Sequence, residues 1–161
     1  MARVNVFDPD WEPRDPDDPA PFTARGAWIG RPAGARELGA SLYELRSGEA
    51  ICPFHLHHAN EEMIIVLAGR PTLRTFDGER ELETGEVVAC PRGHAGAHRV
   101  DNHGDEVARV LIVSTMNAPE VAEYPDSGKI LARSNLDPKS DDWLRKIFRA
   151  DSGVDYFDGE A

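Results

Sequence analysis

Cysteine is scarce in this chain, whose 161 residues include only Cys52 and Cys90. Two cysteines are too few for a disulfide framework, and their spacing lacks the C-x-x-C pattern of redox and zinc motifs. We therefore interpret both residues as small apolar side chains within strands. A disulfide or a reactive thiol is the less favoured alternative.

Positive charge is also in short supply, because 18 lysines and arginines stand against 29 aspartates and glutamates, a net formal charge of −11. Nucleic acids and anionic membranes are bound by basic surfaces, so this chain is expected to bind neither. No apolar run approaches the roughly 18 residues of a membrane-spanning helix, and the N-terminal segment has no signal-peptide pattern. These absences predict a cytoplasmic protein whose partners are small molecules or proteins.

The length of the chain and its hydrophobic content of 40% fit one globular core. We divide the chain into an N-terminal arm and lead-in (1–37), a central domain (38–116) and a C-terminal extension (117–161). Within the first part, residues 8–21 hold five prolines and six acidic residues, which excludes a helix or a central strand. This stretch is either a solvated tail or an extended arm in which Trp11 and Phe22 pack on the domain or on a second subunit.

Short strands separated by turn residues fill the sequence from Leu38 to Met116, and no helical periodicity holds there for two turns. Turn pairs interrupt the alternating segments at Ser47-Gly48, Asp77-Gly78 and Gly104-Asp105. Asp-Gly between alternating segments is the strongest of these hairpin signals, because both central residues of a type I′ turn have positive φ. The pattern predicts an all-β fold of antiparallel strands, arranged as a barrel or a sandwich.

The C-terminal extension combines a short strand, "GKILAR", with a segment that predicts a short helix. Ser140 is a suitable N-cap, acidic residues follow it, and basic residues come at the end, as the helix dipole favours. An apolar stripe along this helix is expected to dock on the wall of the domain. The acidic, basic and apolar residues of the predicted helix are, respectively, Asp141 and Asp142; Arg145, Lys146 and Arg149; Trp143, Leu144, Ile147 and Phe148.

Histidines and glutamates are concentrated in "CPFHLHHANEEMIIVLAG", directly beside an apolar run. Residues two apart on a strand share a face, so His55 and His57 face together. Glu62 opens the next strand, and His98 begins another strand after a glycine-rich loop. Strands from two hairpins can bring these four side chains to one point. Neutral imidazole and carboxylate oxygen together suit a first-row divalent ion such as Mn, Fe, Co, Ni or Zn.

These residues resemble the two motifs of the cupins, which are small double-stranded β-helix barrels. The departures are one extra residue before His55 and a longer gap before His98, and both change loop length rather than the ligand set. The resemblance implies an all-β jelly-roll barrel that binds one divalent transition metal through His55, His57, Glu62 and His98, and it implies a homodimer. More loosely, the chain looks like standalone bacterial cupins, some of which carry a provisional sugar-phosphate isomerase label. The first motif is carried by Gly48, His55, His57, Glu62 and Gly69, and the second by Gly85, Pro91, Gly93, His98 and Asn102.

Glu61 competes with Glu62 for the role of carboxylate ligand, since the motif allows three or four residues after the second histidine. Counting six residues back from Gly69 selects Glu62. Strand alternation agrees, because Glu62 shares a face with the apolar Ile64 and Val66.

Three imidazoles and one carboxylate leave a divalent ion with a net charge near +1, and an octahedral ion would keep two positions for other ligands. Such a site favours a small oxygen-rich or anionic substrate that chelates through two oxygens, such as a hydroxy acid, an enediol, a catechol or a sugar phosphate. We therefore weigh two functions. The first is a metal-dependent enzyme, either a dioxygenase or an isomerase, lyase or decarboxylase. The second is a non-catalytic barrel that binds or senses a small molecule or sugar.

A catalyst also needs a group that handles protons and usually a cation for an anionic substrate. Tyr43, Arg74 and His94 are the candidates for these roles. Each has a structural alternative: a half-buried strand aromatic for Tyr43, a partner of a glutamate across the hairpin for Arg74, and a surface loop residue for His94. The remaining histidines, His58 and His103, are expected to face solvent.

Overall fold

The computed structural model describes residues 3–135 and 143–160, and nearly all of its regular structure is strand. Within these residues the one short α-helix is α1, Gly30–Ala33, and single 3₁₀ turns lie at His94–Gly96, Pro125–Ser127 and Ala150–Ser152. This confirms the all-β prediction. The strands of the described residues are β1 (Arg25–Trp28), β2 (Leu38–Leu45), β3 (Leu56–His57), β4 (Glu62–Ala68), β5 (Thr72–Thr75), β6 (Gly78–Glu81), β7 (Val87–Cys90), β8 (Arg99–Asp101), β9 (Ala108–Thr115), β10 (Glu120–Tyr124), β11 (Lys129–Arg133) and β12 (Arg145–Arg149).

The described part of the chain forms three antiparallel sheets. Their strand orders are β1-β2-β9-β4-β7, β12-β11-β10-β3 and β6-β5-β8. Strand β9 lies between β2 and β4, which are far from it in sequence, and this non-sequential order is typical of a jelly-roll barrel. The core lies on the inner face of the five-stranded sheet, whose apolar side chains meet those of the three-stranded sheet. Its buried members are Leu45, Ile64, Val66, Leu73, Leu82, Cys90, Val100, Val110 and Ile112.

The hairpin predicted around Asp77-Gly78 is present between β5 and β6, but its turn lies one residue earlier. Thr75 pairs with Gly78, so Phe76 and Asp77 are the two loop residues. Gly78 keeps the positive φ, 121°, at the first position of β6. The prediction was therefore right about the hairpin and wrong about its register by one residue.

The arm, described from residue 3 to residue 24, packs on the barrel rather than extending into solvent. Trp11 packs against the cluster of Ala27, Ile29 and Leu42, and the guanidinium of Arg25 lies 4.3 Å from its ring centre. These contacts favour the second of the two alternatives weighed for the arm, with the barrel of the same chain as the packing surface.

The C-terminal helix predicted over residues 140–149 is wrong where the structure describes it, since Arg145–Arg149 is strand β12. It pairs antiparallel with β11, with Leu131 opposite Ile147. A helix of this length is marginal in water unless its apolar face is buried, whereas the edge of β11 offers a full set of backbone hydrogen bonds. Ser140 and the acidic residues after it lie outside the described residues.

The two cysteines have different surroundings, and both are free thiols. Cys90 is buried in β7, as predicted. Cys52 lies in a bend before β3 and not in a strand, so that part of the interpretation was wrong. Among the residues that the structure describes, no helix is long and apolar enough to cross a membrane.

Candidate metal centre

His55 and His98 are joined through their main chains. They form an isolated antiparallel bridge, in which the N–H of His98 donates to the carbonyl oxygen of His55 at 2.8 Å and the reverse bond measures 3.1 Å. Their ring centres are 4.6 Å apart. The bridge therefore places two imidazoles side by side, although the residues are distant in sequence.

Glu62 lies with these two histidines, and ligand atoms of His55, Glu62 and His98 all fall within 4.8 Å of one another. The Nε2 atom of His57 is 3.7 Å from Oε2 of Glu62. The structure thus brings His55, Glu62 and His98 together, and His57 lies beside Glu62 but outside the set of ligand atoms that converge. Glu61 is exposed, and its backbone N–H donates to Thr115 Oγ1 at 3.0 Å.

Hydrogen bonds to carbonyl groups set the orientation of two of the imidazoles. Nδ1 of His55 lies 2.9 Å from the carbonyl oxygen of Pro53, and Nδ1 of His98 lies 2.9 Å from that of Gly96. A carbonyl oxygen only accepts, so each Nδ1 carries the hydrogen and a neutral ring keeps its lone pair on Nε2. This arrangement is the one in which a histidine binds a metal through Nε2.

Burial and mutual repulsion set the charge of the cluster. Burial, helped by the charges of His98 and His57, lowers the pKa of His55 to about 4, so this ring is neutral at pH 7. Burial also lowers the pKa of His98, but the neighbouring Cys90 and Glu62 outweigh it and raise that pKa to about 10. Burial alone would raise the pKa of Glu62, but His98 and His57 bring this pKa below its usual value. Without a metal ion, Glu62 and His98 are therefore an ion pair.

The contact inside this ion pair shows that the donor set fits a metal ion. Nε2 of His98 is 3.2 Å from Oε2 of Glu62, yet this nitrogen is buried without a well-aligned hydrogen-bond partner. With His55, these two groups place three ligand atoms within 4.8 Å of one another. Imidazole nitrogens and a carboxylate oxygen that converge on one point are the ligands of a divalent first-row ion.

Glu120 is a buried carboxylate beside the cluster that the sequence reasoning missed. It is 1% exposed and lies at the start of β10, where it accepts hydrogen bonds from the N–H groups of His58 and Ala59 at 3.2 and 3.3 Å and from the side-chain amide of Asn60. Its Oε1 atom is also 3.8 Å from Nδ1 of His57, a nitrogen that is buried without a partner. Glu120 thus holds the corner between two predicted ligands and faces the outer nitrogen of one of them.

The three candidates for catalysis have different surroundings. Tyr43 is half-buried against the core, and burial, with the nearby Cys52, raises its pKa to about 12, so the hydroxyl keeps its proton. Arg74 donates from both Nη atoms to Asp126 at 2.6 and 2.8 Å, so its partner is not the glutamate that was expected. His94 is exposed and stacks on Phe76 with ring centres 4.0 Å apart. The catalytic roles of all three remain predictions.

The loop before His98 depends on Gly96. A Cβ atom at this position would lie 1.6 Å from the carbonyl oxygen of Pro91, and backbone cannot move aside as a flexible side chain can. We expect Gly96→Ala to lower the free energy of unfolding by about 2–3 kcal/mol, and to displace the carbonyl that orients His98. Thermal melts of Gly96→Ala should be compared with those of Gly153→Ala, a site with open space around it. Equal melting temperatures for the two variants would contradict this account of the loop.

The fold is a small jelly-roll barrel, and His55, Glu62 and His98 cluster on its inner face with His57 beside Glu62. Residues 41–114 match the family model of the cupin domain. This match identifies residues 41–114 as a cupin domain. A comparison with curated proteins gives no significant match.

Several solved structures are similar to this chain. One is a protein provisionally named a sugar phosphate isomerase, from Acidithiobacillus ferrooxidans, with 26% identity and a TM-score of 0.73 over 83% of this chain and 80% of the other. A sugar phosphate isomerase of the cupin superfamily from Silicibacter pomeroyi has 22% identity and a TM-score of 0.76 over 97% and 98%. The polyketide cyclase RemF from Streptomyces resistomycificus has 23% identity and a TM-score of 0.60 over 88% and 89%. The last two similarities show the fold alone.

Proposed function

We propose that this protein binds one divalent transition metal, among Mn, Fe, Co, Ni and Zn, through His55, His57, Glu62 and His98, and that it is a metal-dependent enzyme on a small oxygen-rich molecule. The observation that carries the proposal is the convergence of ligand atoms from His55, Glu62 and His98 within 4.8 Å. The reaction is either that of a dioxygenase or that of an isomerase, lyase or decarboxylase. A similarity of 26% to a protein provisionally named a sugar phosphate isomerase supports the second group. A cytoplasmic location and a homodimer remain predictions.

The metal, when bound, would polarise a substrate oxygen as a Lewis acid or take part in electron transfer. The residues of the chain have separate tasks around it. The carbonyl groups beside His55 and His98 hold these rings in the binding orientation, and Glu120 holds the corner after His57. Tyr43 keeps its proton at neutral pH and is suited to donate a hydrogen bond to a substrate oxygen.

A second candidate function is a barrel that binds or senses a small molecule or sugar without changing it. The contacts of two of the three candidates for catalysis, Arg74 and His94, favour this second function. Arg74 is held by Asp126 through two hydrogen bonds, and His94 stacks face to face on Phe76. Neither is free to act on a substrate while these contacts persist.

Elemental analysis of the purified protein tests the proposal. We expect about one equivalent of a single transition metal per chain, and removal of the metal with a chelator should lower the melting temperature. At a free metal concentration of 100 times the Kd, binding adds about 2.7 kcal/mol to the free energy of unfolding. A protein that takes up no transition metal, even after reconstitution under anaerobic conditions, would contradict the proposal. Oxygen uptake on a panel of catechols, enediols and keto acids then separates a dioxygenase from the non-redox classes.

A further inference from the structure

A cavity of about 620 Å³ lies between the arm and the five-stranded sheet. The arm covers it from Glu12 to Phe22, strands β1 and β2 form its floor, and residues 51–53 form one wall. Pockets that take small organic molecules have volumes of roughly 300–1,000 Å³. The space is therefore of the size that a single metabolite needs. We call it the arm cavity.

The arm cavity lies on the same face of the sheet as the candidate metal centre. Tyr43, which lines the cavity, is opposite Val110, and Val110 is opposite Val66. Residues opposite each other share a face, and so do alternate residues of one strand, so Glu62 and Tyr43 face the same side. Two strand spacings across the sheet and the four residues from Val66 to Glu62 along β4 separate the two positions by about 16 Å. On the cavity wall, Sγ of Cys52 is 3.6 Å from Nδ1 of His55.

The charged groups around the arm cavity are mostly acidic. Glu12, Asp15 and Asp18 line it, and Arg14 is the one cation among the described residues that do so. Nη1 of Arg14 is 2.5 Å from Oε1 of Glu49, which also accepts from the hydroxyl of Thr23, so this guanidinium is already neutralised. A phosphate dianion placed in the cavity would meet three carboxylates and no unpaired cation among the lining residues that the structure describes.

Uncharged polar groups and aromatic rings nevertheless line the arm cavity. The hydroxyl-bearing residues Ser41 and Tyr43 are among the residues that line it. The rings of Phe22, Trp28 and Tyr43 line the same space and offer flat apolar faces. A neutral oxygen-rich molecule can pack on these rings without placing a negative charge beside the carboxylates.

We propose that the arm cavity is the substrate chamber of the metal centre and that it selects uncharged, oxygen-rich molecules over their phosphorylated counterparts. The proposal rests on the proposed function and narrows it. It separates this chain from the two similar structures named as sugar phosphate isomerases. Selection against phosphate follows from repulsion by the three carboxylates, since the ion pair with Glu49 leaves Arg14 without net charge to offer.

The preference of the cavity against anions can be tested by quenching the fluorescence of Trp28 with ions of opposite charge. Trp28 is suitable because it lines the cavity and is 64% exposed. Its signal is obtained in metal-free protein as the difference between the wild type and Trp28→Phe. The caesium cation and the iodide anion both quench tryptophan fluorescence by collision from solution. The quenching constant of each ion is divided by its value for free N-acetyltryptophanamide. We expect caesium to be favoured over iodide by about threefold at low salt, since the carboxylates act from within a Debye length.

Two triple variants with the same net charge make the comparison specific. Glu12→Gln, Asp15→Asn and Asp18→Asn together should bring the caesium to iodide ratio close to one. The matched control, Glu79→Gln with Asp155→Asn and Asp158→Asn, removes three exposed acidic groups that do not line the cavity and should keep the ratio. Equal quenching by both ions in the wild type, or the same loss of selectivity in both variants, would overturn the proposal.

Calorimetric titration of metal-loaded protein with D-glucose and D-glucose 6-phosphate provides a second readout. We expect the neutral sugar to bind at least as tightly as the phosphate, and tenfold tighter binding of the phosphate would overturn the proposal. If neither sugar binds, the quenching ratio decides. The quenching experiment uses no metal, so the two proposals can fail separately. A protein that binds no metal but keeps its preference for caesium would contradict the proposed function and would still support the charge selection of the cavity.

Discussion

Replacing Glu62 with Gln or His98 with Ala should reduce the bound metal at least tenfold. Each change removes one of the ligand atoms that lie within 4.8 Å of the others, and the loss of a direct ligand should exceed the 10–100-fold effect typical of an outer partner. His55→Ala and His57→Ala should behave in the same way. The measurement is metal per chain after reconstitution and desalting, together with the rise in melting temperature that added metal produces in the wild type.

Neighbouring residues of the same chemical type supply the controls. Glu61→Gln changes an exposed carboxylate beside Glu62, and His58→Ala changes an exposed imidazole beside His57 that pairs with Glu123 at 2.6 Å. Both variants should keep full occupancy. Full occupancy in any two of the four ligand variants would refute the assignment of the site.

Replacing Glu120 with Gln should weaken metal binding by about 10–100-fold, although this residue is not a ligand. A glutamine has one acceptor oxygen in place of two, and its amide would face the N–H groups of His58 and Ala59 or the amide of Asn60. At least one buried donor is then left unsatisfied, which costs about 1–3 kcal/mol of folding stability. The corner that carries His57 towards Glu62 should shift as a result. The metal dissociation constant, measured well below the melting temperature, reports that displacement.

A variant of similar stability separates positioning from a general loss of structure. Leu73 is 2% exposed in the core, and Leu73→Ala should cost about 2–5 kcal/mol. It should leave the metal dissociation constant near that of the wild type. Equal weakening of metal binding by Glu120→Gln and Leu73→Ala would show that Glu120 acts through stability alone.

The parts of this structure that could be predicted from the sequence are those encoded by local spacing. The two-residue period places His55 with His57 and selects Glu62 over Glu61, and the structure has Glu62 inside and Glu61 exposed. Turn residues at short intervals predict many strands, because a chain with frequent glycine and aspartate breaks cannot sustain long helices. These inferences need no knowledge of which strands become neighbours.

The misses depend on pairing between distant segments. Glu120 reaches His58 across 62 residues of sequence, and alternation with Ala122 in β10 was its one local signal. The helix predicted near Phe148 carried good local signals, but β11 leaves an edge on which this segment can pair, and that edge is visible only after folding. Trp11 likewise finds its partners on β1 and β2, so composition alone could not separate a tail from a packed arm.

With a metal bound as proposed, the bridge between His55 and His98 would make the two imidazoles act as a single bidentate chelator. Each backbone holds the other in place, so the distance between the two donor nitrogens is set by main-chain geometry rather than by independent side-chain motion. An ion whose radius matches that bite gains both bonds for the ordering cost of one. Ions of other sizes would have to stretch the backbone hydrogen bonds between His55 and His98. Discrimination between metals would then depend on the backbone of the barrel as well as on its ligands.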